Sequence, residues 1–322
     1  MTGLARTASA LAIVSLYCCV ATAAEGYRVV KKVPIAGQGG WDYLTVDSET
    51  RRLYVSHGTL VEVMDLDTEK LVGQIPDTSG VHGIALVPEV GRGFTSNGKS
   101  NTSTMFDSKT LKILGEIPTG NKPDAILYDP ASKRVFVFNG DGNSATAINP
   151  ADGKVEGTVG LGGGPESGAA DGSGKVFVNL EKENLVVVFD SKNLKVLDRW
   201  PLNPCKTPTA MAIDCKNHRL FIGCRSQVAA IVNSETGKVV QTLPIGDHVD
   251  AAAFDPEDEL VFFSNGDGTV NVIHEDSPDK YTAVQTIQTA PRAKTMALDQ
   301  VKKRLYLSTA EAGQFEVLVV GR

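Results

Sequence analysis

Six ionisable side chains stand at one repeated position of this sequence: Asp42, His82, Asp124, Glu166, Asp250 and Lys294, with Thr209 at the remaining copy. Each opens a short apolar run, where a buried strand would carry Val or Ala. Four carboxylates and an imidazole gathered at one point could hold a hard divalent cation such as calcium, or a cationic ligand, because clustered like charges need a counter-charge. Asp124, Glu166, Asp250 and His82 are the metal-ligand candidates, and Lys294 is placed to neutralise a carboxylate. The structural alternative is a solvated lining in which each carboxylate accepts backbone N–H bonds at its own loop. Trp41 is either a stacking face for a ligand or a plug at the rim of the site.

Sharper chemical motifs are absent. The sequence has no C-x-x-C-H for haem, no paired C-x-x-C for zinc and no G-x-S-x-G elbow. Gly160–Gly164 resembles a phosphate loop, but an apolar strand pattern follows it instead of a helix, so it is expected to be a wide turn. Asn139–Gly142 and Asn265–Gly268 look like pieces of calcium loops, yet they lack the closing Glu and fall where hairpins are due. His248 and Asp250 share a loop and could form an acid–base pair, although a solvated loop histidine explains His248 better.

The elements that must position these residues are repeats. A basic residue, an apolar or aromatic run and a small polar residue recur from Arg52, Arg92, Arg134, Lys175, Arg219 and Arg304, with Leu260 replacing the base once. Starts separated by 40, 42, 41, 44, 41 and 44 residues mark a propeller or a solenoid. Each period reads as four short strands. In the third they are Ala125–Tyr128, Val135–Phe138, Ala145–Ile148 and Lys154–Val159, separated by Asp, Asn, Gly and Pro turns. Tyr27–Ile35 resembles a fourth strand without predecessors, and Phe315–Val320 a third strand without a successor. The expectation is an all-β fold: a seven-bladed β-propeller of four-stranded antiparallel blades, whose closing blade joins both ends of the chain. In that ring, the loops entering the inner strands and the hairpins carrying His57, Asn97, Asn139, Glu181, Arg225 and Asn265 share one face. The ligand site is then the channel mouth.

The runs Tyr54-Val55-Ser56-His57, Phe94-Thr95-Ser96-Asn97 and Phe262-Phe263-Ser264-Asn265 resemble the YVTN repeat of YncE-like bacterial propellers and surface-layer-associated proteins. The resemblance spans the mature chain and implies a propeller of the cell envelope or exterior. Similar propellers include lactonases, subunits of quinone-dependent dehydrogenases and plain binding proteins, so the fold alone does not select a reaction. The leading expectation is an exported scaffold binding a ligand or an envelope protein at the mouth. A metal-assisted hydrolase or lactonase using the acidic ring, and an accessory subunit of an envelope oxidoreductase, are the alternatives.

The N-terminus supports export. Arg6, the apolar run Leu11–Val20 and Ala21-Thr22-Ala23-Ala24 compose a cleavable signal peptide over residues 1–24, too short to remain as a membrane span. Residues 25–322 then form the propeller, expected to be a periplasmic or secreted monomer. A formal charge of −6 argues against a nucleic-acid partner. Among the mature cysteines, Cys205 and Cys224 flank strands that should pair antiparallel and are expected to form a disulfide, leaving Cys215 free.

Overall fold

The computed structural model describes residues 1–2, 26–37 and 39–322. The expected signal peptide falls almost entirely outside these residues. Seven four-stranded antiparallel sheets follow one another around a ring. Blade 1 runs through strands Trp41–Asp47, Arg52–His57, Leu60–Asp65 and Lys70–Ile75. Blades 2 to 6 repeat this order, with inner strands Val81–Val87, Pro123–Asp129, Pro165–Ala170, Pro208–Asp214 and Val249–Asp255. Blade 7 takes Met296–Asp299, Arg304–Glu311 and Gln314–Gly321 from the C-terminal end and Arg28–Pro34 from the N-terminal end.

Those two ends pair antiparallel, from Arg28 opposite Gly321 to Pro34 opposite Glu316. The Ile35 N–H continues the ladder to the Phe315 carbonyl at 2.9 Å. Closure covers the open edge of Gln314–Gly321 and makes Arg28–Pro34 the outer strand of the blade. Among the described residues there is one 3-10 turn, Pro88–Val90, and no helix long and apolar enough to cross a membrane.

Alternation along the middle strands buries one apolar set against each neighbouring blade. The core is accordingly divided into clusters between blades. Phe136 meets Phe189 edge-on at 5.1 Å between blades 3 and 4, and Tyr27 meets Phe262 at 5.3 Å between blades 7 and 6. Each buried aromatic stabilises the ring by about 2–3 kcal/mol.

The repeated base has a structural task. Arg52 donates to the carbonyls of Ser108 and Lys109 at 2.7 and 3.1 Å, in the outer turn of the next blade. Arg134 does the same at Ser191 and Lys192, both at 2.8 Å. Arg92 reaches Pro150 and Ala151, and Arg219 reaches Pro278. Arg304 crosses the closure to the Glu69 carboxylate at 3.0 Å. A charged donor on two orphan carbonyls fixes one blade against the next.

The repeat's terminal Asn is likewise structural. Asn97, Asn139 and Asn265 are fully buried. Their carboxamides donate across the hairpin to Thr104 at 2.8 Å, Thr146 at 3.0 Å and Asn271 at 2.8 Å. His57 at the equivalent place in blade 1 is buried and stacks on Phe315 at 4.2 Å.

Candidate functional site

Asp42, His82, Asp124, Glu166, Thr209 and Asp250 are each the second residue of an inner strand. Pairing with the second strand slips immediately afterwards in all six blades. Such a bulge bends the strand and re-aims the side chain. Serines of the second strand secure the bulge: Ser56 accepts from the Asp42 N–H and Ser96 from the Gly83 N–H, both at 2.8 Å. Ser308 and Thr295 donate to the Asp42 carbonyl at 3.1 and 2.7 Å, joining blade 7 to blade 1. Lys294 lies two residues before the shortened inner strand of blade 7.

The loops are therefore held by hydroxyls. Among the described residues, no backbone N–H is bonded to the carboxylates of Asp42, Asp124 or Glu166, and Asp42 Oδ1 is buried without a hydrogen-bond partner. The alternative of carboxylates that cap their own loops is not what the structure shows.

The ring divides into two arcs. In the first, His82 Nδ1 lies 2.6 Å from Asp42 Oδ2 and 3.6 Å from Asp124 Oδ1. One ligand atom from each of Asp42, His82 and Asp124 can be chosen so that all lie within 4.8 Å of one another. Gly98 leaves room for the imidazole, since a Cβ there would stand 2.8 Å from His82 Nε2. In the second arc, buried Asp250 is enclosed by cations. Arg225 approaches it at 2.9 Å and Lys294 is bonded to its other oxygen. Arg225 also pairs with Glu181 at 3.0 Å and lies 4.0 Å from Glu166. Thr209 takes no part in these ion pairs and donates to the Val249 carbonyl at 2.5 Å. Of the four metal-ligand candidates, His82 and Asp124 are thus brought together. Asp250 is committed to Lys294 and Arg225, and Asp42 supplies the third donor.

Electrostatics sharpen the division. Burial pushes the Asp124 carboxyl up to about 6; the His82 charge opposes this, while the charges of Asp42 and Asp250 add to it. Burial, followed by Asp124, Asp250 and Glu181, pushes Glu166 up to about 9, although Arg225 pulls the other way. Burial disfavours the His82 cation, but its Asp42 hydrogen bond and the charges of Asp124 and Asp42 outweigh burial and hold its pKa above the usual range. Protonation relieves Glu166 near neutral pH, and an added cation at the Asp42–His82–Asp124 group would relieve the carboxylates that stay charged. One imidazole with two carboxylates suits zinc or a similar metal, whereas calcium takes oxygen ligands only.

Tyr43, the chain neighbour of Asp42, lies within the field of these carboxylates and was not singled out in the sequence. It packs against the blade 3–4 core from blade 1. Its hydroxyl is held well above its usual pKa by burial and by Asp250, Glu166, Asp42 and Asp124. The signal was available: the equivalent positions hold Gly83, Ala125, Ser167, Ala210, Ala251 and Thr295, so only blade 1 carries a bulky side chain there. His248 pairs with Asp247 at 3.1 Å, and Asp250 is engaged elsewhere, so the structure forms no His248–Asp250 pair. Cys205 and Cys224 are joined, with Cα atoms 5.7 Å apart, and Cys215 is free and exposed.

The chain is a seven-bladed β-propeller, and solved structures show the same architecture. A chain of Kuenenia stuttgartiensis hydrazine synthase is similar with a TM-score of 0.76 and 16% identity, over 88% of this chain and 96% of that one. A chain of a mitotic checkpoint complex has a TM-score of 0.78 and 13% identity, over 98% and 99%. U3-55K has 0.79 and 11%, over 92% and 100%. Identities this low establish the fold alone. No family model matches the chain, and no curated protein matches it by sequence.

Proposed function

We propose that this protein is an exported binding propeller of the YVTN-repeat type whose channel mouth seats a cation. The observation that carries this reading is the convergence of Asp42, His82 and Asp124, with one Asp42 oxygen buried and unpartnered. The cation is a divalent metal or the charged end of a larger ligand or protein. Propellers support assemblies of this kind through an exposed mouth on a rigid ring. The mitotic checkpoint neighbour, by its title, belongs to a complex. Export follows from Arg6 and the apolar run at Leu11–Val20.

Equilibrium dialysis against zinc and calcium, followed by metal analysis, tests the site. About one ion per chain is expected for the native protein, with zinc preferred over calcium. Asp124→Asn should lose it. An unloaded native protein, or equal loading of the variant, would discard the reading.

One observation favours a second reading, a metal-assisted hydrolase. Glu166, beside Arg225 in the neighbouring arc, is pushed up to about 9 by burial and then by the Asp124 and Asp250 charges. A metal at the donor group would offset the Asp124 charge and draw the Glu166 pKa down toward neutral, where the carboxyl could exchange a proton with a substrate. A lactone and ester panel on the zinc-loaded protein separates the two: turnover lost in Glu166→Gln supports the enzyme, and no turnover leaves the binding propeller.

A further inference from the structure

The rim of the mouth holds a second recess, beside the donor group and built from other residues. Its volume is about 370 Å³, and Gly40, Trp41, His248, Gly266, Arg292 and Lys294 line it. This is within the usual size range of small-ligand sites. Three lining residues carry basic groups, and none of the six is a carboxylate. Arg292 is exposed, and its guanidinium carbon lies 4.6 Å above the Trp41 ring. Phe315 supports the indole with ring centres 5.9 Å apart. The contact holds the guanidinium over the indole while leaving its N–H fork unused by any carboxylate among the described residues. Behind the recess, Lys294 and Arg225 both pair with Asp250 and Arg225 also pairs with Glu181, so two cations balance two carboxylates and the Arg292 charge remains uncompensated among the described residues.

We infer that this recess is a binding site for a small organic oxyanion. The Arg292 fork takes the carboxylate or phosphate, Lys294 adds attraction, and the apolar body of the ligand lies along the Trp41 edge between Gly40 and Gly266. A preorganised planar fork matches a carboxylate or phosphate with two parallel hydrogen bonds. The inference does not rest on the cation site, because no residue lining the recess belongs to the Asp42–His82–Asp124 group.

Calorimetric titration of the full protein with benzoate, phenyl phosphate, inorganic phosphate, benzyl alcohol and benzylamine tests it. Benzoate or phenyl phosphate should bind saturably, and benzyl alcohol and benzylamine should not. Arg292→Gln should weaken binding about tenfold or more, whereas Lys206→Gln, which removes an exposed positive charge elsewhere, should leave it unchanged. Trp41→Phe should retain part of the affinity and Trp41→Leu less, with circular dichroism confirming that the ring is intact. Inorganic phosphate binding as tightly as phenyl phosphate would contradict a role for the ligand body. Equal binding of benzyl alcohol, undiminished binding in Arg292→Gln, or no saturable binding of either aromatic anion up to about 10 mM would overturn the site.

Discussion

At the scale of single residues, folding disfavours the charged forms of Asp124 and Glu166 at the mouth and favours that of His82. Asp124, Glu166 and His82 all titrate above their ordinary values. A group with a raised folded pKa contributes stability below its unfolded pKa and loses it as pH rises through the folded value. For Glu166 that window runs from 4.5 to about 9. All three shifts act in the same direction, so the metal-free protein should melt at progressively lower temperature between about pH 5 and 9. Glu166→Gln should flatten the decline and melt higher than the native protein at pH 8. Scanning calorimetry across this range checks the sign, and parallel profiles for the two proteins would show that Glu166 is not the burdened group. Asp250 shows why residue type alone misleads. It has the same repeat position and chemistry as Asp124, yet Arg225 and Lys294 neutralise it, and Arg225 belongs to the preceding blade's hairpin. No spacing in the sequence reports that pairing.

At the scale of elements, the blade was legible and the clamp between blades was not. Turn residues at fixed offsets marked the strands of blade 3, which the structure places at Pro123–Asp129, Arg134–Asn139, Ser144–Ile148 and Val155–Gly160. The base that opens each repeat was visible as a pattern without a purpose, because its partners lie on the following blade. Arg134 bonds carbonyls 57 and 58 residues ahead. The hydrogen bonds of its guanidinium to two backbone oxygens, with the Glu156 contact at 2.6 Å, should make Arg134→Ala cost about 1–3 kcal/mol. Chemical denaturation measures this. A loss as large in Glu156→Ala, with none in Arg134→Lys, would place the stabilisation in the exposed ion pair instead of the clamp. The inner-strand bulges were also hidden, since a one-residue slip leaves the apolar alternation intact on either side.

At the scale of the whole molecule, function depends on closure. Asp42 and Asp124 stand on blades 1 and 3 and meet His82 on the blade between them, and closure brings Thr295 and Ser308 of blade 7 onto the Asp42 carbonyl to hold its end of the group. The two chain ends that complete blade 7 were legible as complementary fragments, and their register is now explicit from Arg28 opposite Gly321 onward. The same closure sets the Trp41 and Arg292 recess beside the cation site, giving the mouth an acidic arc and a basic rim. Crystals soaked in zinc and measured at the zinc absorption edge address the cation site most directly. The account expects one dominant anomalous peak at about 2.0–2.2 Å from an oxygen of Asp42, an oxygen of Asp124 and a ring nitrogen of His82. Zinc-saturated crystals whose only peaks lie elsewhere, or whose mouth still holds the Asp42–His82 hydrogen bond with no metal between, would contradict it.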